Sequence, residues 1–483
     1  MLIRQTFAYL PAQLIGPLSQ FATAIILTHW LAKAEYGLTM LIFASQELVF
    51  LVGLSWWTFY MMRYSGSLNS EQEQQRYRDT ETSVILISTL AQIGLTILII
   101  VLSEPDVSYA FYFGACFFTI SRSFLNLLSE RSRTLGAIKD YSLVQIGAPV
   151  GGLILTIGVM YLIGAKPGWV LLVFAIMQTL VGALVGNRLG LLRKPGRIDP
   201  EIFRAALTFG IPVVLSGALG WVAGNGIRFV VQYAKGADDL GLLSVGWGLA
   251  SRLSTVAALV VTAAAYPLAV KAMEVGDSDG ARRQLSDNSA LLVGVVAPAT
   301  FGVIAINEPL VRLLIAPEFQ AATIALLPWA LAAAAIRNIR MHGWDQLYLL
   351  FEAPKQMMVL EGVEAALTVL GATIGVFTYG LTGAVIGTLI AAIVVAIGDF
   401  FYLRGCFGLR LPLALLLRVL IATGVMFIAV RLLPSIGLDL KATWMSITLA
   451  IGIGMLAYAL MVVVMFPSLI GSARDYLRAR RAG

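Results

Sequence analysis

The chain has 483 residues, of which 59% are hydrophobic and 13% charged, with a mean hydropathy of +0.85 and a formal net charge of +7. That composition excludes a soluble globular domain and belongs to a polytopic membrane protein. No soluble basic face is available for nucleic acid, so the positive balance reports a membrane surface.

A helix needs roughly 20 apolar residues to cross hydrocarbon, because every backbone polar group must be satisfied internally. In chain order the predicted spans are 7–31, 37–61, 83–103, 108–128, 142–163, 168–191, 205–233, 241–266, 288–308, 321–345, 357–378, 382–403, 413–433 and 444–467. The uncharged run 365–398 is too long for one span and is predicted to turn at Phe377-Thr378-Tyr379-Gly380. The expected fold class is therefore an all-α polytopic membrane protein with 14 transmembrane helices.

Charge in the connections is phased with this count. Odd-numbered connections hold 5 Lys and Arg, whereas the even-numbered ones, the C-terminal tail and Arg4 hold 22. By the positive-inside rule both termini are expected in the cytoplasm of a cell whose inner (cytoplasmic) membrane carries the protein. The first apolar stretch is long enough to remain as a helix, so no cleavable signal peptide is expected.

The connections leave little room for catalysis. Outer connections are short, and no Lys follows a Gly or precedes Ser or Thr, so a Gly-Lys-Ser/Thr phosphate loop is absent. Two histidines, His29 and His342, and two cysteines, Cys116 and Cys406, form no set with metal-ligand spacing. No catalytic residue, metal or cofactor is expected, and transport is favoured over an enzyme.

A weak internal repeat divides the chain. Pro11 corresponds to Pro212, and Leu31-Ala-Lys-Ala-Glu-Tyr-Gly37 to Tyr233-Ala-Lys-Gly-Ala-Asp-Asp-Leu-Gly241. Gly136-Ala-Ile-Lys139 corresponds to Glu352-Ala-Pro-Lys355. The expected organisation is an N-terminal six-helix lobe over 1–192, a linker over 193–204 and a C-terminal six-helix lobe over 205–404. Helices 13–14 follow over 405–467, then a basic tail over 468–483.

Phe209-Gly-Ile-Pro-Val-Val-Leu-Ser-Gly217, Arg228-Phe-Val-Val and Gly241-Leu-Leu-Ser-Val245 resemble the polysaccharide transporter family. So do Glu35-Tyr36-Gly37 and Arg131-Ser-Arg-Thr-Leu-Gly-Ala-Ile-Lys-Asp-Tyr141. That family belongs to the multidrug/oligosaccharidyl-lipid/polysaccharide exporter superfamily. The resemblance implies a flippase for undecaprenyl-pyrophosphate-linked oligosaccharide, such as an O-antigen, capsule or exopolysaccharide unit. Alternatives within the superfamily are a drug/cation antiporter and a lipid II flippase; a membrane glycan polymerase or ligase is a further alternative. Expected partners are the lipid-linked oligosaccharide, the bilayer, a coupling ion (H+ or Na+) and a glycan polymerase of the same pathway. In the family an acidic residue often precedes the helix-seven arginine; here the run is Asn225-Gly-Ile-Arg228.

Charges inside spans are costly and mark a wet cavity or a partner. Arg418 and Arg431 lie near helix ends and are expected to snorkel. Arg122, Arg337, Arg340, Arg252 and Arg228 are candidates for a cationic cavity, since guanidinium forks suit a diphosphate. Glu47 is the one acid deep in a span, and either pairs with Arg252 or carries a coupling proton. Asp345, Glu361, Glu364 and Asp399 are expected at the surface or in a latch with Arg337 or Arg340. Trp56, Trp57, Trp344, Trp169 and Trp444 read as interfacial anchors.

Overall fold

The computed structural model describes residues 2–67, 70–191, 195–436 and 442–467. Lys441, the start of the linker at 193–194 and the basic tail lie outside the described residues. The described residues are helical and include no strand. Two compact units, Met1–Val245 and Gly246–Gly483, divide the chain.

The first unit holds α1 (Leu2–Thr28), α2 (Lys33–Tyr64), α3 (Glu71–Ser103), α4 (Tyr109–Thr134), α5 (Ile138–Ile163), α6 (Pro167–Arg188) and α7 (Pro200–Lys235). Helix α8 (Ala237–Glu274) begins in the first unit and runs into the second. The second unit continues with α9 (Ser278–Ala305), α10 (Asn307–Leu314), α11 (Pro317–His342), α12 (Gln346–Leu350), α13 (Pro354–Phe407), α14 (Leu413–Arg431) and α15 (Trp444–Met465).

Local chemistry sets the helix starts. Pro167, Pro200, Pro317 and Pro354 each occupy the first helical position, where a missing N–H costs nothing. Ser70 and Glu73 form a reciprocal capping box, so α3 begins at Glu71, well before its apolar part. The expected connection at 62–82 is therefore mostly helix, because α2 also continues to Tyr64.

Among the described residues twelve helices are long and apolar enough to cross a membrane. The 54-residue α13 counts once, although it reverses at Tyr379 and Gly380, the latter at φ 63°. Its two arms pack backbone to backbone through Gly371 against Gly387 and Gly375 against Gly383. The fourteen-span plan exceeds twelve by dividing α13 and by admitting α1. The outward surface is apolar: Leu102, Tyr161, Leu162 and Met445 are 74 to 82% exposed. Such a face requires lipid, and the protein is a multi-pass membrane protein.

In the first unit Leu54, Trp57, Met61, Tyr77, Leu127 and Ala206 pack α2, α3, α4 and α7 together. In the second, Ala281, Leu285, Leu347, Tyr348 and Leu403 pack α9, α12 and α13 together.

Candidate functional site

Among the described residues, three groups of charged side chains inside these helices bear on the site. The first is on α2 and α4. Gln46 Nε2 donates to Ser123 Oγ at 3.2 Å, which fixes the neighbouring Glu47 and Arg122 near each other. The Glu47 carboxylate lies in the electrostatic field of the Arg122 guanidinium. Glu47 is exposed on the first unit and Arg122 is half-buried. The π-helical turn Leu51–Ser55 follows directly, and Gly53 there leaves room only for the side chain of Gln92. Extra-residue turns of this kind re-aim the side chains on either side of them.

The second place was not expected. Glu81, 1% exposed, accepts from Arg131 Nη1 at 2.6 Å and from the Trp57 indole at 3.3 Å. An ion pair this enclosed has little water to compete with it, and the indole donor satisfies the second carboxylate oxygen. Arg131 falls between the predicted spans 108–128 and 142–163, but it stands on α4. The available signal was the helical spacing of Tyr77, Glu81 and Val84, which places Glu81 on the buried face.

The third place is the end of α11 in the second unit. Arg337 and Arg340, three residues apart, share a face of its last turns, and Glu361 and Glu364 share a face of the antiparallel first arm of α13. Arg340 Nη2 meets Glu364 Oε2 at 2.5 Å and Glu361 Oε1 at 3.9 Å, and Nη1 lies 3.4 Å from Asp345 Oδ2. Arg337 reaches Glu361 at 3.7 Å and Glu364 at 3.8 Å. Asp399, on the second arm of α13, accepts from the Tyr348 hydroxyl at 2.6 Å and the Trp344 indole at 2.8 Å.

Of the two expectations for these acids, the latch is what the structure holds: Asp345, Glu361, Glu364 and Asp399 are all buried. Arg340 is 1% exposed, so its guanidinium serves these carboxylates in this conformation rather than a solvent-filled cavity. Trp57 and Trp344 are corrected as well. Both are donors to buried carboxylates rather than belt anchors, whereas Trp169 and Trp444 are exposed.

Arg228 donates to Asn225 Oδ1, so an amide stands where an acidic partner would. Arg252, on α8, is half-buried in the second unit. Arg418 and Arg431 are exposed and lie over the rings of Phe466 and Phe427, in keeping with snorkelling. Both cysteines are free.

The profile of the polysaccharide biosynthesis protein family matches residues 2–273, more than half of the chain. The chain belongs to that family. No curated protein matches its sequence. Among solved structures it is similar to lipid II flippase MurJ in an inward closed conformation, at 15% identity and a TM-score of 0.75. That match covers 97% of this chain and 100% of MurJ. It is also similar to an inward-facing multidrug resistance MATE transporter of the MOP superfamily, at 17% identity and a TM-score of 0.57 over 81% of this chain and 94% of that one. A MOP superfamily transporter from Pyrococcus furiosus, described as having a binding pocket of reverse polarity, matches at 14% identity. Its TM-score is 0.58 over 83% of this chain and 94% of that one. This polysaccharide biosynthesis family member therefore has the MOP fold.

Proposed function

We propose that this family member is a flippase that moves undecaprenyl-pyrophosphate-linked oligosaccharide across the cytoplasmic membrane by alternating access, with both termini cytoplasmic. The observation that carries this reading is the half-buried Arg122 guanidinium, set at membrane depth beside Glu47 in a polysaccharide biosynthesis protein. A diphosphate offers the planar, bidentate acceptors that guanidinium recognises. Arg228 supplies further positive charge on α7 of the same unit, and Arg252 is a cation of the second unit on α8. Glu47 holds Arg122 in the unloaded state and exchanges its partner for the substrate or for a coupling ion. Arg337 and Arg340, being engaged by carboxylates, set the packing of α11 on α13. The two six-helix lobes and the helices over 405–467 are part of the same proposal.

Lipid II is the second reading, favoured by the similarity to MurJ along nearly the whole chain. Both lipids present a polyprenyl diphosphate, so the discrimination lies in the glycan. The experiment is headgroup translocation in liposomes containing purified protein, with the two lipids tested in parallel. Arg122→Ala should lower the rate by roughly 10- to 100-fold, the worth of one charged hydrogen bond, and Arg122→Lys should restore part of it. Translocation of lipid II alone would favour the second reading. Transport of neither lipid, with efflux of cationic drugs, would replace both by an antiporter.

A further inference from the structure

A cleft of about 740 Å³ lies between the end of α2 and the start of α7, within the first unit. Tyr64 lines it from α2, and Glu201, Arg204, Thr208 and Phe209 line it from α7. Gly210 sets how close the two helices come beside it, since a Cβ there would collide with the main chain of Trp56. The Tyr64 and Phe209 rings meet edge to face at 5.8 Å. Over both sits the Arg63 guanidinium, 5.6 Å from the first ring and 5.1 Å from the second.

The cations of this cleft are not spent on acids. Asp199 and Glu201, beside the start of α7, both answer Arg76. Arg63 and Arg204 are exposed, and neither has an ion-pair partner among the described residues. A ring takes the face of a guanidinium and leaves its N–H edge to an acceptor. The first turn of α7 is not itself the anion site, because Asp199 already accepts from the Glu201 and Ile202 N–H groups.

The cleft also continues into an apolar stripe. Arg204, Thr208, Ile211 and Leu215 follow one another at helical spacing and share a face of α7. Ile211 is 46% and Leu215 53% exposed. Arg63 lies just beyond the predicted span 37–61, and Arg204 just before the span 205–233. The two arginines therefore stand at the level of the bilayer surface, and the stripe runs from there into hydrocarbon.

We propose that this cleft binds an anionic phospholipid of the surrounding bilayer. The lipid phosphate takes the N–H edges of Arg63 and Arg204, and an acyl chain follows Ile211 and Leu215. Free phosphate would use the arginines and leave the stripe unused. A zwitterionic lipid would cover the stripe but bring an ammonium group towards two guanidinium groups. The site uses neither Glu47 nor Arg122 and stands whatever the transported lipid is.

The test is native mass spectrometry of the purified, delipidated full-length protein in detergent. It is titrated with phosphatidylglycerol or with phosphatidylcholine of the same chains. Phosphatidylglycerol should bind roughly 10-fold more tightly. The Arg63→Gln/Arg204→Gln protein should lose roughly 10- to 30-fold in that affinity, about fivefold for each arginine beside an anionic lipid, and nothing for phosphatidylcholine. Thr208→Trp fills the cleft and keeps both arginines; it should also weaken phosphatidylglycerol, and it carries the test if the double variant does not fold. Arg78→Gln removes a cation that bonds to Gln74 outside the cleft, and should change nothing. Equal binding of the two lipids, or a loss in Arg78→Gln as large as in the double variant, would overturn the proposal. Displacement by millimolar inorganic phosphate would overturn it in favour of a free-anion site. Displacement by undecaprenyl diphosphate at a tenth of the phosphatidylglycerol concentration would overturn it by assigning the cleft to the transported lipid.

Discussion

Gly37 and Gly241 meet backbone to backbone within the first unit. A Cβ on Gly37 would collide with Ala237 O and the Gly241 N–H, and one on Gly241 would collide with Lys33 O. Counted back four residues from each glycine, Lys33 stands opposite Ala237. The two contacts are thus images of each other, as a local two-fold relation between the starts of α2 and α8 requires. Only glycine admits this approach, because the neighbouring atoms are main chain and cannot swing aside.

Replacing either glycine should therefore push the two helix starts apart. Gly37→Leu or Gly241→Leu is expected to cost about 1–3 kcal/mol, as overpacking does. Thermal unfolding in detergent measures it. A Gly37→Leu protein as stable as wild type would mean that the contact is loose.

A second aligned pair gives the opposite sign. Gly136 has φ 67° and its counterpart Glu352 has φ 50°, the only described non-glycine residue with positive φ. A left-handed Glu is strained where Gly is not. Glu352→Gly should stabilise the protein by roughly 0.5–1 kcal/mol, seen as a higher unfolding temperature, unlike most glycine substitutions.

The α11 cluster predicts strong coupling. Arg340→Met leaves Glu361, Glu364 and Asp345 facing one fewer guanidinium and should cost about 3–5 kcal/mol. Adding Glu364→Gln should recover part of that loss, giving a non-additive double-mutant cycle in thermal stability. Additive losses would show that the 2.5 Å contact between Arg340 and Glu364 contributes nothing specific.

Asp199 ties the residues before α7 to α3. It accepts from the N–H groups of Glu201 and Ile202 and pairs with Arg76, while its own N–H donates to Thr80 Oγ at 2.9 Å. Partial burial alone would raise its carboxyl, but the Ile202 N–H, the Arg76 guanidinium and the Glu201 N–H outweigh that and hold it below its ordinary 3.8. A depressed folded value stabilises above 3.8, and that contribution is lost as pH falls through the depressed value. Asp199→Ala should cost about 1 kcal/mol near neutral pH through the lost cap. The half-exposed Arg76 partner adds little. The difference from wild type should shrink on acidification below pH 3.8; a gap that stays constant to the lowest accessible pH would assign the cost to packing.

Topology is checked directly. Reporter fusions after Ser70 and after Pro200 should read cytoplasmic, and fusions after Lys166 and after Lys441 external, from the 22-to-5 basic asymmetry. Lys166 and Pro200 on one side of the membrane would break the span assignment.

Legibility differed sharply between backbone and side chains. The turn at Tyr379-Gly380 was readable because a run of apolar residues too long for one bilayer must fold back, and glycine there permits the reversal. The shared face of Arg337 and Arg340 was readable from helical spacing. Their partners were named only as one option, and Glu81 with Arg131 and Trp57 was missed, because the pairing lies on residues 50 and 24 positions away.

The sequence by itself determined the membrane class, the all-helical fold and the direction of charge bias. Each follows from local chemistry: the length of an apolar run, and the lysine and arginine counts beside it. Only the tertiary structure decided which charges face which. An arginine in a span looks the same in sequence whether it awaits a phosphate or is already held by carboxylates. The choice rests on contacts between helices, where burial strengthens a 2.5 Å approach such as that between Arg340 and Glu364.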